Sequence, residues 1–263
     1  MSHTKIAGVL NLTPDSFSDG GQHVANALAR VQTLLNEGAD IIDIGAQSTR
    51  PGAERLSSDE EWKRLSELSA VIKLIHQAGK LVSVDTIHSE TARRAIALGV
   101  DWINDVSGFS SQDMIDAVRD SSAMLVLMHA LDVPADPAHT LPADADPIEE
   151  IRLWAERKIH SLAANGVATS RFIFDPGIGF GKTPQQSLEI LLRIEELKKL
   201  GLPLLIGHSR KSFLKLFTDK PASERDDATL GFSAFLMDAH VDYLRVHNVS
   251  RHVTLRNFLP SQK

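Results

Sequence analysis

The chain of 263 residues contains no cysteine. That excludes disulfides, thiolate nucleophiles and cysteine-ligated zinc or iron–sulfur clusters, and it is compatible with a reducing compartment. Nor does any apolar run approach the roughly 18 residues a membrane span requires. The opening MSHTKIAGVLNL has no basic segment followed by a long apolar stretch. These absences lead us to expect a cytoplasmic protein without a membrane partner. No long basic block accompanies the net charge of −6, so no nucleic-acid surface is expected, although a few arginines focused in one cleft suffice to hold an anion. No Ser/Gly/Pro-rich linker divides the sequence, and residues 1–263 are expected to form one domain. HExxH, GxSxG and metal-spaced histidine clusters are missing as well.

What is present is alternation. Short β-rich runs, IAGVLNL (6–12), DIIDIGA (40–46), LVSVDTI (81–87), WINDVSG (102–108), AMLVLMHA (123–130), RFIFDPG (171–177), LPLLIGH (202–208) and DYLRVHNV (242–249), are separated by helix-like segments. Among these are VANALARVQTLLNEG, DEEWKRLSELSAVIKLIHQAG, TARRAIALG, IEEIRLWAERKIHSLAANG, SLEILLRIEELKKLG and ATLGFSAFLMDAH, several of which end in glycine. Eight strand–helix units with 43% hydrophobic residues have the size and order of an α/β TIM barrel, with a doubly wound open sheet as the alternative. Within the strand runs apolar residues come first and polar ones last: Asn11, Asp85, Asn104, His129, Asp175, His208, Arg245 and His247. Each could simply cap a helix or pin a turn. Their recurrence places reactive groups at the strand C-termini, where a parallel barrel builds its active site.

DPGIGFGKT (175–183) invites a nucleotide-binding reading that fails on spacing. Gly177 stands one residue too close to Gly181–Lys182 for a P-loop, Pro176 occupies the required position, and Lys182 replaces the third glycine of a dinucleotide fingerprint. NLT (11–13) and NVS (248–250) match the glycosylation pattern, which carries no weight without a secretory signal.

Taken together, LNLTPDSFSDGG (10–21), STRPGA (48–53), SVDT (83–86), NDVSG (104–108), DPGIGFGKT, SRKSF (209–213) and RVH (245–247) resemble the dihydropteroate synthase family, in order and across nearly the whole chain. The resemblance implies a TIM barrel, usually a homodimer. It also implies condensation of 6-hydroxymethyl-7,8-dihydropterin diphosphate with 4-aminobenzoate, a reaction that sulfonamides inhibit by mimicking the second substrate. Pterin contacts are implied at Asp85, Asn104, Asp175 and Lys211. A carboxylate and an amide can match the donors and acceptors of an aminopyrimidinone edge, though Asp85 and Asn104 also suit a structural network across neighbouring strands. Diphosphate contacts are implied at Asn11, Thr49, Arg50, Arg245 and His247. The last two are two residues apart, so they face the same way along a strand. Asn11 resembles the family's magnesium-linked asparagine, a reasonable lone ligand because Mg²⁺ keeps waters and shares phosphate oxygens. Pro51, Phe180, Ser209 and Lys211 are implied for aminobenzoate, with Phe180 equally readable as packing. Lys211, Arg50 and Asp19 are implied as the catalytic set, and Asp19, Thr49 and Arg50 match mobile-loop residues beside Gly20, Gly21 and Gly52. Asp43 and His208 are expected to serve the barrel interior or to support the site indirectly.

Three departures from the usual family pattern stand out: Gln47 where glutamate often precedes STRPG, Asn248 where aspartate usually follows RVH, and residues 130–147, which lack the usual glycine-proline signature. The alternatives are a methyltetrahydrofolate:corrinoid methyltransferase, which needs no diphosphate site, and a non-catalytic pterin-binding paralogue with weakened loops.

Overall fold

In the computed structural model, which describes residues 3–12, 23–47 and 55–259, each of the eight expected runs forms a strand. These are β1 (Lys5–Asn11), β2 (Ile41–Gly45), β3 (Leu81–Asp85), β4 (Trp102–Asp105), β5 (Met124–Met128), β6 (Phe172–Asp175), β7 (Leu205–Ile206) and β8 (Tyr243–Val246). Every ladder is parallel, in the order β6-β5-β4-β3-β2-β1-β8-β7. A bridge between Phe174 and Leu204 joins the two outer strands and closes the ring. The open-sheet alternative is thereby excluded.

The helices between strands are α1 (His23–Asn36), α2 (Ser58–Arg64), α3 (Leu68–Gln77), α4 (Ser89–Ala97), α5 (Gln112–Val118), α6 (Pro147–Ala164), α7 (Pro184–Leu192), α8 (Ile194–Leu197), α9 (Asp226–Asp238) and α10 (Val249–Phe258). Two expected long helices are broken. Residues 59–79 divide into α2 and α3 at a turn that keeps both Leu65 and Leu68 buried. Residues 187–201 break at Arg193 and tighten into a 3-10 turn that ends at left-handed Gly201. Two helices were not expected: α5, only seven residues long, and α10, which buries just Val249 and His252 and so lacks a clear apolar stripe. Among the described residues no helix is long and apolar enough to cross a membrane.

Side-chain alternation organises the barrel. Ala7, Ile41, Trp102, Val126, Ile173 and Leu205 point inward and form an apolar floor. Tyr243 meets Trp102 edge-on there, with ring centroids 4.9 Å apart. Their outward neighbours, such as Ile6, Ile42, Val84, Phe174 and Leu244, build the larger core against the helices. Two residues beyond the floor the inward positions turn polar: Asp43 follows Ile41, Asn104 follows Trp102, Asp175 follows Ile173 and Arg245 follows Tyr243. One strand register therefore defines both the floor and the site above it.

The β6–α7 turn is packed so closely that only glycine fits at Gly177. Its φ is +67°, and a Cβ there would lie 1.9 Å from the His129 carbonyl oxygen. Gly201 has a similar φ of +70° but open space around it. Gly201→Ala should therefore cost about 1–2 kcal/mol, the ordinary left-handed penalty, whereas Gly177→Ala should cost more than about 4 kcal/mol or prevent folding. Equal urea midpoints for the two variants would contradict the packing argument.

Candidate active site

At the C-terminal mouth of the barrel Asp85, Asn104, Asp175, Lys211, Arg245 and Phe180 line a solvent-open cleft with about 350 Å³ of empty space. The four residues expected to contact pterin thus converge in one place. Gly207 and Gly177 contribute backbone in place of side chains on the β6 and β7 side.

Arg245 dominates the centre. Its Nε donates to Asp43 Oδ2 at 2.5 Å and its Nη2 to Asp85 Oδ2 at 3.0 Å. The side chains of Asp43 and Asp85 are only 3% and 10% exposed. One guanidinium is shared by two buried carboxyl groups. Burial pushes the Asp85 carboxyl up to about 7, with the charge of Asp43 adding to the rise and Arg245 opposing it. Burial works against the Arg245 charge, but the two carboxylates outweigh it and raise its pKa. Across the cleft burial pushes Asp175 up to about 6, against the pull of the Gly177 N–H and of Lys211 and Arg245. Asp175 Oδ1 accepts from Gly177 N at 2.7 Å. Asn104 Oδ1 is buried without a hydrogen-bond partner among the described residues. Such an atom carries an unrecovered desolvation cost that a donor on a bound molecule would offset.

The rim brings together residues expected for different substrates. Lys211 Nζ lies 4.2 Å from the centroid of the Phe180 ring, a cation–π contact, while Phe180 packs against Val106, Met128, Val133 and Ala135. Phe180 therefore acts both as packing and as a wall of the cleft. Ser209, expected for aminobenzoate, has its Oγ 3.0 Å from Nδ1 of His247, expected for diphosphate, and accepts from the His247 N–H at 3.3 Å. Asn11 lies exposed at the end of β1, opposite Gly45, which is itself opposite Asp85. Asp19, Thr49, Arg50 and Pro51 lie outside the described residues.

Two strand-end histidines do not join the cleft, because alternation turns them outward. His208 is fully buried against α9, its Nε2 2.8 Å from Ser233 Oγ. His129 packs edge-on against Trp154 of α6, and its Nδ1 is 2.8 Å from Lys182 Nζ. The expectation that all eight polar groups share one site is corrected accordingly, and Asp43 rather than His208 supports the interior. Lys182 carried no functional expectation. It is nevertheless buried, and it also donates to the carbonyls of His129 and Phe180 at 3.3 and 2.9 Å. Nothing in a glycine-rich loop signals a buried lysine.

The departures from the family pattern also find places. Gln47 Oε1 accepts from Leu56 N at 3.3 Å. Asn248 caps α10 by accepting from Arg251 N. Within residues 130–147, Leu141 N donates to the Gly181 carbonyl, and buried Gln186 donates to the carbonyls of Leu141 and Pro142. This segment therefore supports the Gly177–Lys182 turn.

Residues 7–247 match the model of the pterin binding enzyme family. The chain belongs to that family. It is 39% identical over 251 residues to the dihydropteroate synthase of Synechocystis sp., which covers 94% of this chain and 86% of that protein. With the folate synthesis bifunctional protein of Chlamydia caviae the identity is 37%, over 94% of this chain but only 57% of the relative; the chain thus spans little more than half the length of that larger protein. Among solved structures it resembles Anaplasma phagocytophilum dihydropteroate synthase with bound 6-hydroxymethylpterin-monophosphate, with TM-score 0.90 and 39% identity, covering 97% and 98% of the two chains. It also resembles the Yersinia pestis dihydropteroate synthase in complex with a sulfonamide drug, with TM-score 0.88 and 31% identity, covering 97% and 92%.

Asp175 yields a pH test. An unfolded aspartate ionises near pH 4, whereas folded Asp175 holds its proton to about 6, so between these values the folded state binds more protons and loses stability as pH rises. Relative to Asp175→Asn, the wild-type chain should lose roughly 3 kcal/mol of unfolding free energy between pH 4 and pH 7. A difference that stays constant across that range, measured by urea denaturation, would refute the raised pKa.

Proposed function

We propose that this chain joins 6-hydroxymethyl-7,8-dihydropterin diphosphate to 4-aminobenzoate, forming 7,8-dihydropteroate and pyrophosphate. The observation that carries this reading is the buried set Asp85, Asn104 and Asp175, with Asn104 Oδ1 lacking a partner, beneath the cations of Arg245 and Lys211. Ionised Asp175 offers two acceptors to the donor-rich edge of a pterin, Asn104 offers both an acceptor and donors, and Lys211 bounds the opposite side. Arg245 has five N–H groups and the contacts to Asp43 and Asp85 engage two of them, which leaves donors for a diphosphate oxygen. His247 and Asn11 flank the same mouth.

Magnesium fits this donor set. Among the described residues no three His, Asp or Glu side chains converge to form a complete metal cage. Asn11, however, presents one neutral oxygen at the exposed end of β1, with the side-chain-free Gly45 opposite, which suits an ion that shares its remaining positions between water and phosphate. When bound, Mg²⁺ would neutralise charge on the departing diphosphate.

The chain's own residues then position the reactants. Arg245 and His247 stabilise the leaving group as the bond between the exocyclic carbon and oxygen breaks, its electron pair going to pyrophosphate. The aminobenzoate amine forms the new C–N bond and releases its proton to solvent or product. Phe180 and the stem of Lys211 wall the ring, Ser209 faces its carboxylate, and Thr49, Arg50, Asp19 and Pro51 complete the loops as the family resemblance implies. The cation set argues against a methyltransferase, which has no diphosphate to hold.

The proposal extends to a cytoplasmic homodimer inhibited by sulfonamides. Support for self-association comes from exposed Leu192, Phe217 and Phe235, which are 56%, 56% and 41% exposed. Phe217 packs at a tilt against Phe232 of α9, with ring centroids 5.3 Å apart.

Aminobenzoate-dependent pyrophosphate release from the pterin diphosphate with Mg²⁺ is the deciding assay, and no release from a folded chain would sink the proposal. Arg245→Ala should weaken the diphosphate substrate more than the free pterin alcohol. It should also lower unfolding free energy by about 3–5 kcal/mol, because Asp43 and Asp85 lose their common partner. Equal loss of affinity for both ligands in calorimetric titrations would remove Arg245 from the diphosphate site.

A further inference from the structure

The turn Ser209–Arg210–Lys211 carries two residues of the proposed aminobenzoate pocket, and its centre is conformationally costly. Arg210 adopts φ +62°, a left-handed conformation unusual for a side chain of this size. Such a conformation persists only where surrounding contacts over-determine it. Here they do: Asp226, at the start of α9, accepts from Arg210 Nε at 2.7 Å and Nη2 at 2.9 Å, a two-point fork. The Arg210 amide donates to Thr229 Oγ1, one turn further along the same helix, at 3.1 Å.

Asp226 also looks the other way. Its Oδ2 accepts from Asn248 Nδ2 at 3.1 Å, and Asn248 follows His247, whose ring and amide both meet Ser209. The contacts form a closed circuit: Ser209 to His247, Asn248 to Asp226, and Asp226 to Arg210 beside Ser209. Lys211 lines the cleft, whereas Ser209, Arg210, Asp226, His247 and Asn248 do not; the circuit lies behind Lys211. Its chemistry explains the amide at Asn248. A carboxylate there would face the Asp226 oxygen that Nδ2 now satisfies, placing two like charges about one hydrogen bond apart.

Resting on the proposed reaction, we infer that Asp226 and Asn248 are positioning residues for the aminobenzoate pocket: one carboxylate and one amide that together hold Ser209 and Lys211 in register with His247. Neither touches substrate. The order of amide and carboxylate matters: both Asp226 oxygens accept from the Arg210 fork and Oδ2 also accepts from Asn248 Nδ2, so an amide at position 226 would turn a donor toward the guanidinium.

The test compares wild type, Asp226→Asn, Asn248→Asp and the exchanged double variant Asp226→Asn/Asn248→Asp. Each single variant should raise KM for 4-aminobenzoate about tenfold and change kcat and the KM for the pterin diphosphate less, with a lowered urea midpoint but a chain still folded under assay conditions. The double variant should stay at least as impaired as Asp226→Asn, because an amide at position 226 offers Arg210 one acceptor where the carboxylate offers two. Hydrogen exchange at the Arg210 amide supplies a readout independent of activity: it should be at least tenfold faster in both single variants and in the double. Unaltered aminobenzoate KM in Asp226→Asn, or a double variant restored to wild type, overturns the inference. If wild type shows no synthase activity, the proposed reaction fails while the exchange rates still decide whether the circuit holds the turn. Unchanged exchange in the single variants would then overturn it.

Discussion

One guanidinium held between two buried carboxylates organises the mouth of this barrel. Arg245 reaches across from β8 to Asp43 on β2 and Asp85 on β3, spanning β1, whose inward positions at that height are the small or apolar Ala7 and Val9. Each of the three groups would be costly to bury alone. Together they share hydrogen bonds, and burial pushes Asp85 up to about 7, so that a proton on it relieves the excess of carboxylate over guanidinium. The apolar floor beneath excludes water on one side, and the cations above set which ligands can approach.

Much of the fold and part of the site could be read from the order of residues, for a physical reason. Parallel strands alternate strictly, and a barrel gathers every strand end on one face, so Asp85, Asn104, Asp175 and Arg245 could be placed together before any coordinates. Alternation alone does not say which face is inward at a given strand end, so the run of polar strand ends did not by itself separate outward His129 and His208 from the residues of the cleft. Nor does it give the stagger between strands. The Asp43–Arg245 pair joins residues 202 positions apart, and only the register of three neighbouring strands makes it visible. Lys182 was hidden differently: burial of a lysine depends on finding three acceptors, here supplied by a histidine ring and two carbonyls that local sequence does not announce. The broken helices show tertiary packing overriding a continuous helical pattern, and α10 was missed because it buries only two residues.

Support for the site is distributed in layers that differ in kind. Glycines let the β6–α7 turn approach the His129 carbonyl. A neutral histidine, its charged form disfavoured first by burial and then by the Lys182 ammonium, accepts from that lysine beneath the same turn. On the opposite side α9 grips a strained arginine from behind. The pocket walls thus owe their positions to groups that no ligand would touch, so substitutions well outside contact distance can alter binding.

The closed floor has a further consequence for traffic. Among the described residues Trp102, Tyr243 and their apolar neighbours fill the barrel axis, so a molecule seated on Asp175 would enter and depart through the mouth. A cleft with a single mouth would admit two ligands only in sequence: one seated at Asp175 would have to arrive before, and leave after, any held above it.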